Sequence, residues 1–550
     1  MAEGKGQSGD GLPSQMIADS PPQPQKPFSF YVSVFGLALV ALITSWDATS
    51  LAIALPVIAE QLHGTTLESL WASISFILGV ALTQPIYVSL SDVLGRKPPL
   101  YSSAVLFAIG AIVFALANDM SALIAGRLIQ GLGGGGLYVL QDIILADITS
   151  LKERPLYLGL ISLAMAMGTI LGPVIGAVFS SFNWRWIGWI NLPIIGLGLL
   201  TFVFFLHLRA ISQPLAARLR RLDLAGMALF GFGATATALP ISWAGALYSW
   251  SSWRTIVPLT IGLVVLVLFG VFERRVPAEP ILPFRVLSNI TASTSLITGF
   301  MHGSILYTAL LYIPLYFQAI LLETPLEAAK STLPICCLTV AFSFIAPVII
   351  ELTRRYRVLL WVGWVIMTLF LGLWCLVGPS TPRVEVYVFQ AFLGVGLGTV
   401  FTGSQVPMQA SVSHVDDTGL AVGTLIVVRL FGALIGLSIS STIFSSVFSK
   451  SIAALGRLPE PVKKLEDSTE AINFIPLLRL VDIPDKSSII EAYRQPFQAI
   501  WIMMTCFSGV GLMACLFIKE HTLEKEEVGR QGFAREPSQG GTIIQRSLQT

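Results

Sequence analysis

Long blocks of apolar residues alternate along the chain with short polar breaks. Blocks of 18 or more apolar residues recur over nearly the whole length, each long enough to cross a hydrocarbon core of ~30 Å. Divided at charged or Pro/Gly-rich breaks, they give fourteen spans, beginning near residues 31, 71, 100, 121, 157, 186, 224, 254, 291, 331, 358, 384, 419 and 496. The seventh and eighth are separated by the Trp-rich break SWSSWR at 249–254. The pattern predicts an all-α polytopic membrane protein with helical spans.

Composition sharpens this picture. Of the 550 residues, 54% are hydrophobic and 12% charged, against about 25% charged in a soluble domain. The mean hydropathy is +0.75. A soluble enzyme with a single anchor is excluded. The five cysteines (Cys336, Cys337, Cys375, Cys506, Cys515) fall inside apolar spans without zinc-ligand spacing and read as buried thiols. The first 26 residues, MAEGKGQSGDGLPSQMIADSPPQPQK, read as a disordered tail. No removable signal peptide is expected ahead of the first span, which itself directs insertion.

The net charge of +2 matters less than where the positive charges lie. The loops after spans 2, 4, 6, 8 and 10 hold fourteen Lys and Arg, among them Arg96, Lys97, Arg220, Arg221, Arg274 and Arg275; the opposite short loops hold four. The positive-inside rule then places both termini in the cytoplasm. The loop 449–495 lands outside with seven more basic residues, against the trend. The sequon Asn289-Ile290-Thr291 falls on the cytoplasmic side and is expected to stay unmodified.

A repeat emerges when spans 4–5 are laid on spans 12–13. RLIQGLGGGG (127–136) matches QAFLGVGLGT (390–399), with glycines at 131, 133 and 135 against 394, 396 and 398. Gly168 and Gly172 likewise match Gly432 and Gly436. Two six-span halves with two extra spans between them explain the period. The expected organisation is a tail over 1–30, six spans over 31–208, two extra spans and linkers over 209–290, six spans over 291–518 with the long outer loop 449–495, and a cytoplasmic tail over 519–550.

Several polar residues sit where an apolar helix must bury them. Asp47 is the one charge between Phe35 and Ile58, and an intramembrane carboxylate costs roughly 2.5–3.5 kcal/mol on an insertion scale. Arg127 lies inside span 4, and an intramembrane arginine requires a carboxylate or carbonyl partner. At 1.5 Å per residue, Asp47 lies roughly 13 Å below Pro56 and Arg127 roughly 9 Å below the start of its span. The two charges are therefore expected at similar depth, as a pair. A fixed ion pair that only locks two helices is the competing reading. Thr49 and Ser50 are expected to bond back within the helix. Gly131, Gly133 and Gly136 match G-x-G-x-x-G, but a membrane helix with no preceding strand argues for helix packing and against a dinucleotide site.

Four stretches carry a family resemblance. The loop after span 2, YVSLSDVLGRKPPL (87–100), places Asp92 at a helix end, Gly95 at a turn, and then Arg96-Lys97. It resembles the cytoplasmic signature of the major facilitator superfamily, with Val88 where glycine is usual. Span 5 contains GTILGPVIGA (168–177), whose Gly168, Gly172 and Gly176 form a flat face and whose Pro173 permits a bend. It resembles that superfamily's antiporter motif, with Ala177 where a second glycine is common. WDATSLAIALP (46–56) and the Trp-rich FNWRWIGWINLP (182–193), which suits an interfacial belt, are similar to segments of the fourteen-span drug:proton antiporters. The resemblance is strongest to fungal efflux pumps for drugs and secondary-metabolite toxins.

That resemblance implies a major facilitator fold of two six-helix halves plus two extra central helices. It further implies spans 1 and 4 lining a central cavity, with Asp47 and Arg127 coupling protons and Asp92, Gly95, Arg96 and Lys97 forming a cytoplasmic gate. Trp46, Gln130, His302 and Gln390 are candidate cavity residues; for His302 a merely packed role is the competing reading. The implied function is proton-coupled export of small organic molecules across the plasma membrane, by alternating access. A facilitator or importer of a siderophore, amino acid or sugar on the same fold is the alternative. The partners expected are a small-molecule substrate, protons and the lipid bilayer. No P-loop, HExxH pair or nucleophile elbow is present in the sequence, so no enzyme activity, ATP, nucleic acid, metal or cofactor is expected.

Overall fold

A computed structural model describes residues 26–149, 154–208, 222–245, 247–276, 289–412, 418–460, 462–481 and 486–521. Residues 1–25 of the expected tail 1–30 and residues 522–550 of the expected tail 519–550 lie outside these, as do residues 209–221 and 277–288 of the expected linkers. Among the described residues, fourteen helices are long and apolar enough to cross a membrane. The first six are α1 (Phe28–Gln61), α2 (Thr66–Leu94), α3 (Lys97–Leu116), α4 (Met120–Ile148), α5 (Arg154–Phe182) and α6, in two segments, Trp186–Trp189 and Asn191–Phe205. Then come α7 (Leu224–Trp243) and α8 (Trp253–Arg275). The last six are α9 (Ile290–Ala319), α10 (Pro325–Thr353), α11 (Arg357–Trp374), α12 (Arg383–Gly403, then Gln405–Ala410), α13 (Thr418–Ala453) and α14 (Lys486–Leu516). Among the described residues there is no strand, only an isolated bridge from Ala244 to Tyr248 in the turn after α7.

Three helices begin earlier than their apolar runs. At α2 and α10 the cause is a capping box: Thr65 and Glu68, and Thr324 and Glu327, satisfy each other's backbone N–H groups, so each helix opens with a polar turn. At α14 the start moves from the expected 496 to Lys486. Its first turns are amphipathic, with Tyr493 buried 4.6 Å from the Phe448 ring. Pro496 lies inside the helix rather than at its beginning. Since α13 also runs to Ala453, the long outer loop shrinks to 454–485.

The glycine repeat is a packing repeat. A Cβ on Gly131 or Gly135 would meet backbone of α2, and one on Gly133 backbone of α3. In the second half Gly394 and Gly398 lie equally close to α10, and Gly396 to α11. Gly168, Gly172 and Gly176 press α5 onto Leu42–Ser50 of α1, as Gly432 and Gly436 press α13 onto Phe300–Ser304 of α9. Without side chains at these positions the helix backbones approach closely, which is how helices associate where lipid offers no hydrophobic drive. The helix α5 runs unbroken through Pro173.

The halves α1–α6 and α9–α14 meet along α2 with α13 and α5 with α10. The extra pair α7–α8 packs on itself and on α13, where Thr442 Oγ1 donates to Ile241 O. At the predicted outer end the described residues of the long outer loop, 454–460 and 462–481, form a folded strap with 3₁₀ turns Val462–Glu466 and Ser468–Glu470 and a short helix Ile475–Leu480. It emerges from the second half yet bonds to the first: Thr66 Oγ1 donates to Thr469 O at 2.9 Å, and Asn473 Nδ2 to Gly64 O at 3.2 Å. Gln318 Nε2 of α9 also donates to Ile53 O of α1. The two halves are thus tied together at this end.

Two smaller expectations change. Cys506 is exposed, so the cysteines are not uniformly buried, although none forms a disulfide. In the Trp-rich segment only Trp186 is exposed as a belt residue should be; Trp184 is buried, with its Nε1 donating to Gln61 Oε1 at 2.9 Å.

Candidate functional site

The helix α1 carries Asp47 near its middle, about 21 Å from the Gln61 end at 1.5 Å per residue. Its side chain is 1% exposed and turned towards α4. Arg127 Nη1 donates to Asp47 Oδ2 at 2.5 Å. Gln130 Nε2 and Asn191 Nδ2 each donate to Asp47 Oδ1 at 2.9 Å. Gln130 Oε1 in turn accepts from Arg127 Nη1 at 2.8 Å, and the guanidinium lies 4.2 Å from the centre of the Phe76 ring. One carboxylate thus holds a charged donor and two amides supplied by α4 and α6. The glycine face of α5 sits behind it and fixes the backbone of α1 from Leu42 to Ser50.

This geometry is what the desolvation energetics require. A buried ion pair holds only when its remaining lone pairs and protons are also satisfied, and removing one partner costs about 3–5 kcal/mol. Both carboxylate oxygens are satisfied here. Arg127 Nε and Asn191 Oδ1 are buried without a partner, so the network has spare polar capacity. Arg127 also lines a cavity on the seam between the halves, with Ala48 and Phe76 of the first half and Tyr307, Leu311 and Leu437 of the second. Its volume is about 20 Å³, room for about one water molecule. At this point the seam is too tight for an organic cargo.

The four candidate cavity residues divide between the two halves. Gln130 belongs to the carboxylate network. Trp46 is buried with its indole N–H unpartnered. Gln390 donates to Ser331 O at 3.0 Å, between α12 and α10. His302 is fully buried, its Nε2 3.0 Å from Leu397 O and its Nδ1 unpartnered, so it is packed but only half satisfied. None of the four lines the seam cavity. As expected, Thr49 Oγ1 bonds back to Ser45 O and Trp46 O, and Ser50 Oγ to Asp47 O.

At the opposite end of α2, Gly95 takes φ +87°, a backbone that favours glycine, and turns the chain into α3. Arg96 Nε then donates to Asp147 Oδ2 at the end of α4, and its Nη1 to Ser91 Oγ, each at 2.8 Å. Lys97 opens α3. Asp92 lies within α2, but its side chain is outside the described residues. Asn289 caps α9: its Oδ1 accepts from Ala292 N while its Nδ2 donates to Ser411 O.

Sequence reasoning missed Asn191, Asp147 and Arg429. The first hid in a stretch read as an interfacial tryptophan belt. Arg429, in the apolar run IVVRLFGALIG, is a buried charge of the same kind as Arg127 and could have been flagged on the same ground.

Comparison with known proteins fits this architecture. The family model described as Major Facilitator Superfamily matches residues 37–437. The MFS-type transporter sphD of Aspergillus fumigatus is 44% identical, over 93% of this chain and 89% of its own. The MFS-type efflux pump MMF1 of Mycosarcoma maydis is 35% identical, over 90% of this chain and 80% of its own. The efflux pump FUS6 of Gibberella fujikuroi is 31% identical, over 93% of each chain. Among solved structures, an inward-facing bacterial homologue of the human lysosomal transporter Spinster superposes with a TM-score of 0.58 at 16% identity, covering 91% of this chain and all of that one. The chain belongs to the Major Facilitator Superfamily, as a multi-pass membrane transporter and not an enzyme, among relatives that include fungal efflux pumps and secondary-metabolite transporters.

Proposed function

We propose that the protein exports a small organic molecule of drug or secondary-metabolite type in exchange for protons, by alternating access of its two halves. The observation that carries this reading is Asp47, a carboxylate buried in α1 and held by Arg127, Gln130 and Asn191 beside the seam. Protonation of Asp47 leaves Arg127 without its anion and weakens the tie between α1 and α4. A charge moving down the membrane potential supplies about 2.3 kcal/mol per 100 mV, which a titrating group can capture.

The ends of the bundle supply the gates in this reading. The strap, docked through Thr469 on Thr66, and the Gln318–Ile53 bond close the outer end. Asp92, Gly95, Arg96 and Lys97 form the cytoplasmic gate, with Arg96 anchored on Asp147. Gly168, Gly172 and Gly176, on either side of Pro173, hold α1 against α5, so that displacement of α5 is felt at Asp47. Both termini are cytoplasmic and the membrane is the plasma membrane.

Relatives named as efflux pumps support the direction of transport. The test uses inverted vesicles from cells that make the full chain, with a panel of the producing organism's own metabolites and common drugs. Concentrative uptake is expected on imposing an acidic vesicle interior, and a protonophore should abolish it. Uptake indifferent to the pH gradient would reject proton coupling.

A further inference from the structure

The two halves differ in the charge they bury. In the first half Arg127 is matched by Asp47. In the second, the repeat position of Arg127 is the neutral Gln390. That half has its own buried arginine, Arg429 of α13, which is 3% exposed. Among the described residues no carboxylate lies within ion-pair distance of it. Its Nη2 donates to Phe401 O and to Ser404 Oγ, each at 2.7 Å, and its Nε is buried with no acceptor. Phe401 and Ser404 stand where α12 breaks between Gly403 and Gln405. The end of the first α12 segment offers about half a negative charge, and the rest of the guanidinium charge is unmatched.

The surroundings of Arg429 are rich in donors and poor in anions. Its Cζ lies 4.6 Å from the centre of the Phe401 ring, and the His302 ring lies 5.9 Å from the same ring. His302 and Tyr307, both on α9, are its titratable neighbours. Tyr307 also lines the seam cavity and stands beside Tyr138 of α4. Gly303 lets the backbone of α13 at Arg429 approach α9 closely, so His302, Tyr307, Phe401 and Arg429 form one cluster reaching the seam. An unmatched guanidinium away from water is unfavourable unless something completes it.

We propose that Arg429, with Tyr307 and His302, is an anion subsite on the second-half wall of the transport path, taking the carboxylate of an organic cargo. The inference rests on the export reading and names its substrate class. The planar guanidinium fork matches a carboxylate, and the Phe401 ring offers an apolar face to the adjoining carbon skeleton. With the seam closed the site is shut; parting of the halves opens it to cargo.

The test compares two probes of one skeleton, 1-pyrenebutyrate and its neutral amide, in inverted vesicles carrying the full chain or its variants. Wild type should move the carboxylate. Arg429→Gln keeps hydrogen-bonding capacity but removes the charge, and should slow carboxylate uptake by about thirtyfold or more, the low end for removing one partner of a buried charge pair. Uptake of the amide should stay within about twofold of wild type. Arg429→Lys should restore part of the carboxylate uptake, with equal membrane levels of each variant confirming folding. Equal loss of both probes in Arg429→Gln would overturn the proposal and make Arg429 a brace for the α12 break. Wild-type transport of the amide alone would overturn it while leaving the export reading intact. Transport of neither would overturn both.

Discussion

Gly172→Ala adds a single carbon, yet the contact it makes should disable the transporter. A Cβ at Gly172 would lie 2.8 Å from Trp46 O and nearer still to Thr49 Oγ1, whereas real Cβ atoms essentially never come within 3.0 Å of a neighbour. Thr49 could rotate away only by giving up its bonds to Ser45 O and Trp46 O. Trp46 O is backbone and cannot rotate, so α1 and α5 must separate by some tenths of an ångström. Overpacking of this kind costs about 1–3 kcal/mol. Alanine's helical advantage over glycine offsets roughly 0.5–1 kcal/mol of that. Asp47 follows Trp46 directly, so the displacement reaches a network whose bonds are 2.5–2.9 Å long. The control lies on the same helix: a Cβ at Gly159 meets nothing within 4 Å. The expected result is lower thermal stability and severely reduced efflux for Gly172→Ala with protein still in the membrane, and unchanged efflux for Gly159→Ala. Normal stability and efflux in Gly172→Ala would refute the claim that this glycine sets the position of Asp47.

Asn191→Leu removes one of the two amides on Asp47 Oδ1 and should lower stability by about 1–3 kcal/mol, read as an earlier thermal transition together with weakened proton-coupled efflux. Arg96→Gln loses the ion pair to Asp147 and should impair turnover while leaving expression intact; unaltered turnover would remove Arg96 from the gate. Cysteines at Thr66 and Thr469, which are joined by the 2.9 Å bond from Thr66 Oγ1 to Thr469 O, should allow a short thiol cross-linker to hold the strap down. Transport should stop on cross-linking and return on reduction, whereas unhindered transport would show that the strap stays docked throughout the cycle.

Much of this architecture was legible in the sequence because a bilayer imposes blunt rules. Each span needs its run of apolar residues, and each buried charge needs a partner, so Asp47 and Arg127 could be paired before any helix was placed. Chance matching would also align glycines in two glycine-rich helices. It fails because Gly131, Gly133 and Gly135 divide between two neighbouring helices in the same order as Gly394, Gly396 and Gly398. What stayed hidden was polar and local. The capping boxes at Thr65 and Thr324 and the amphipathic opening of α14 carry no apolar run, so helix starts were placed too late. Side-chain direction was also beyond reach: Gln130 turns to Asp47, while Gln390, the repeat counterpart of Arg127, turns to Ser331 O. The partner in α6, Asn191, comes from 144 residues further along the chain, and no local spacing announces it.

In the proposed exchange Asp47 carries protons rather than locking two helices. Substrate uptake into inverted vesicles under an imposed pH gradient, measured for Asp47→Asn, Arg127→Gln and the double variant, tests it directly. A lock requires only that neither charge be left alone. The double variant, with no unpaired charge, would then recover much of the stability of about 3–5 kcal/mol lost on breaking a buried pair, and function with it. A proton carrier requires a group that titrates. Uphill, pH-driven uptake should therefore stay lost in the double variant even where its thermal stability recovers, with downhill exchange still possible. Uphill uptake restored in the double variant would contradict it.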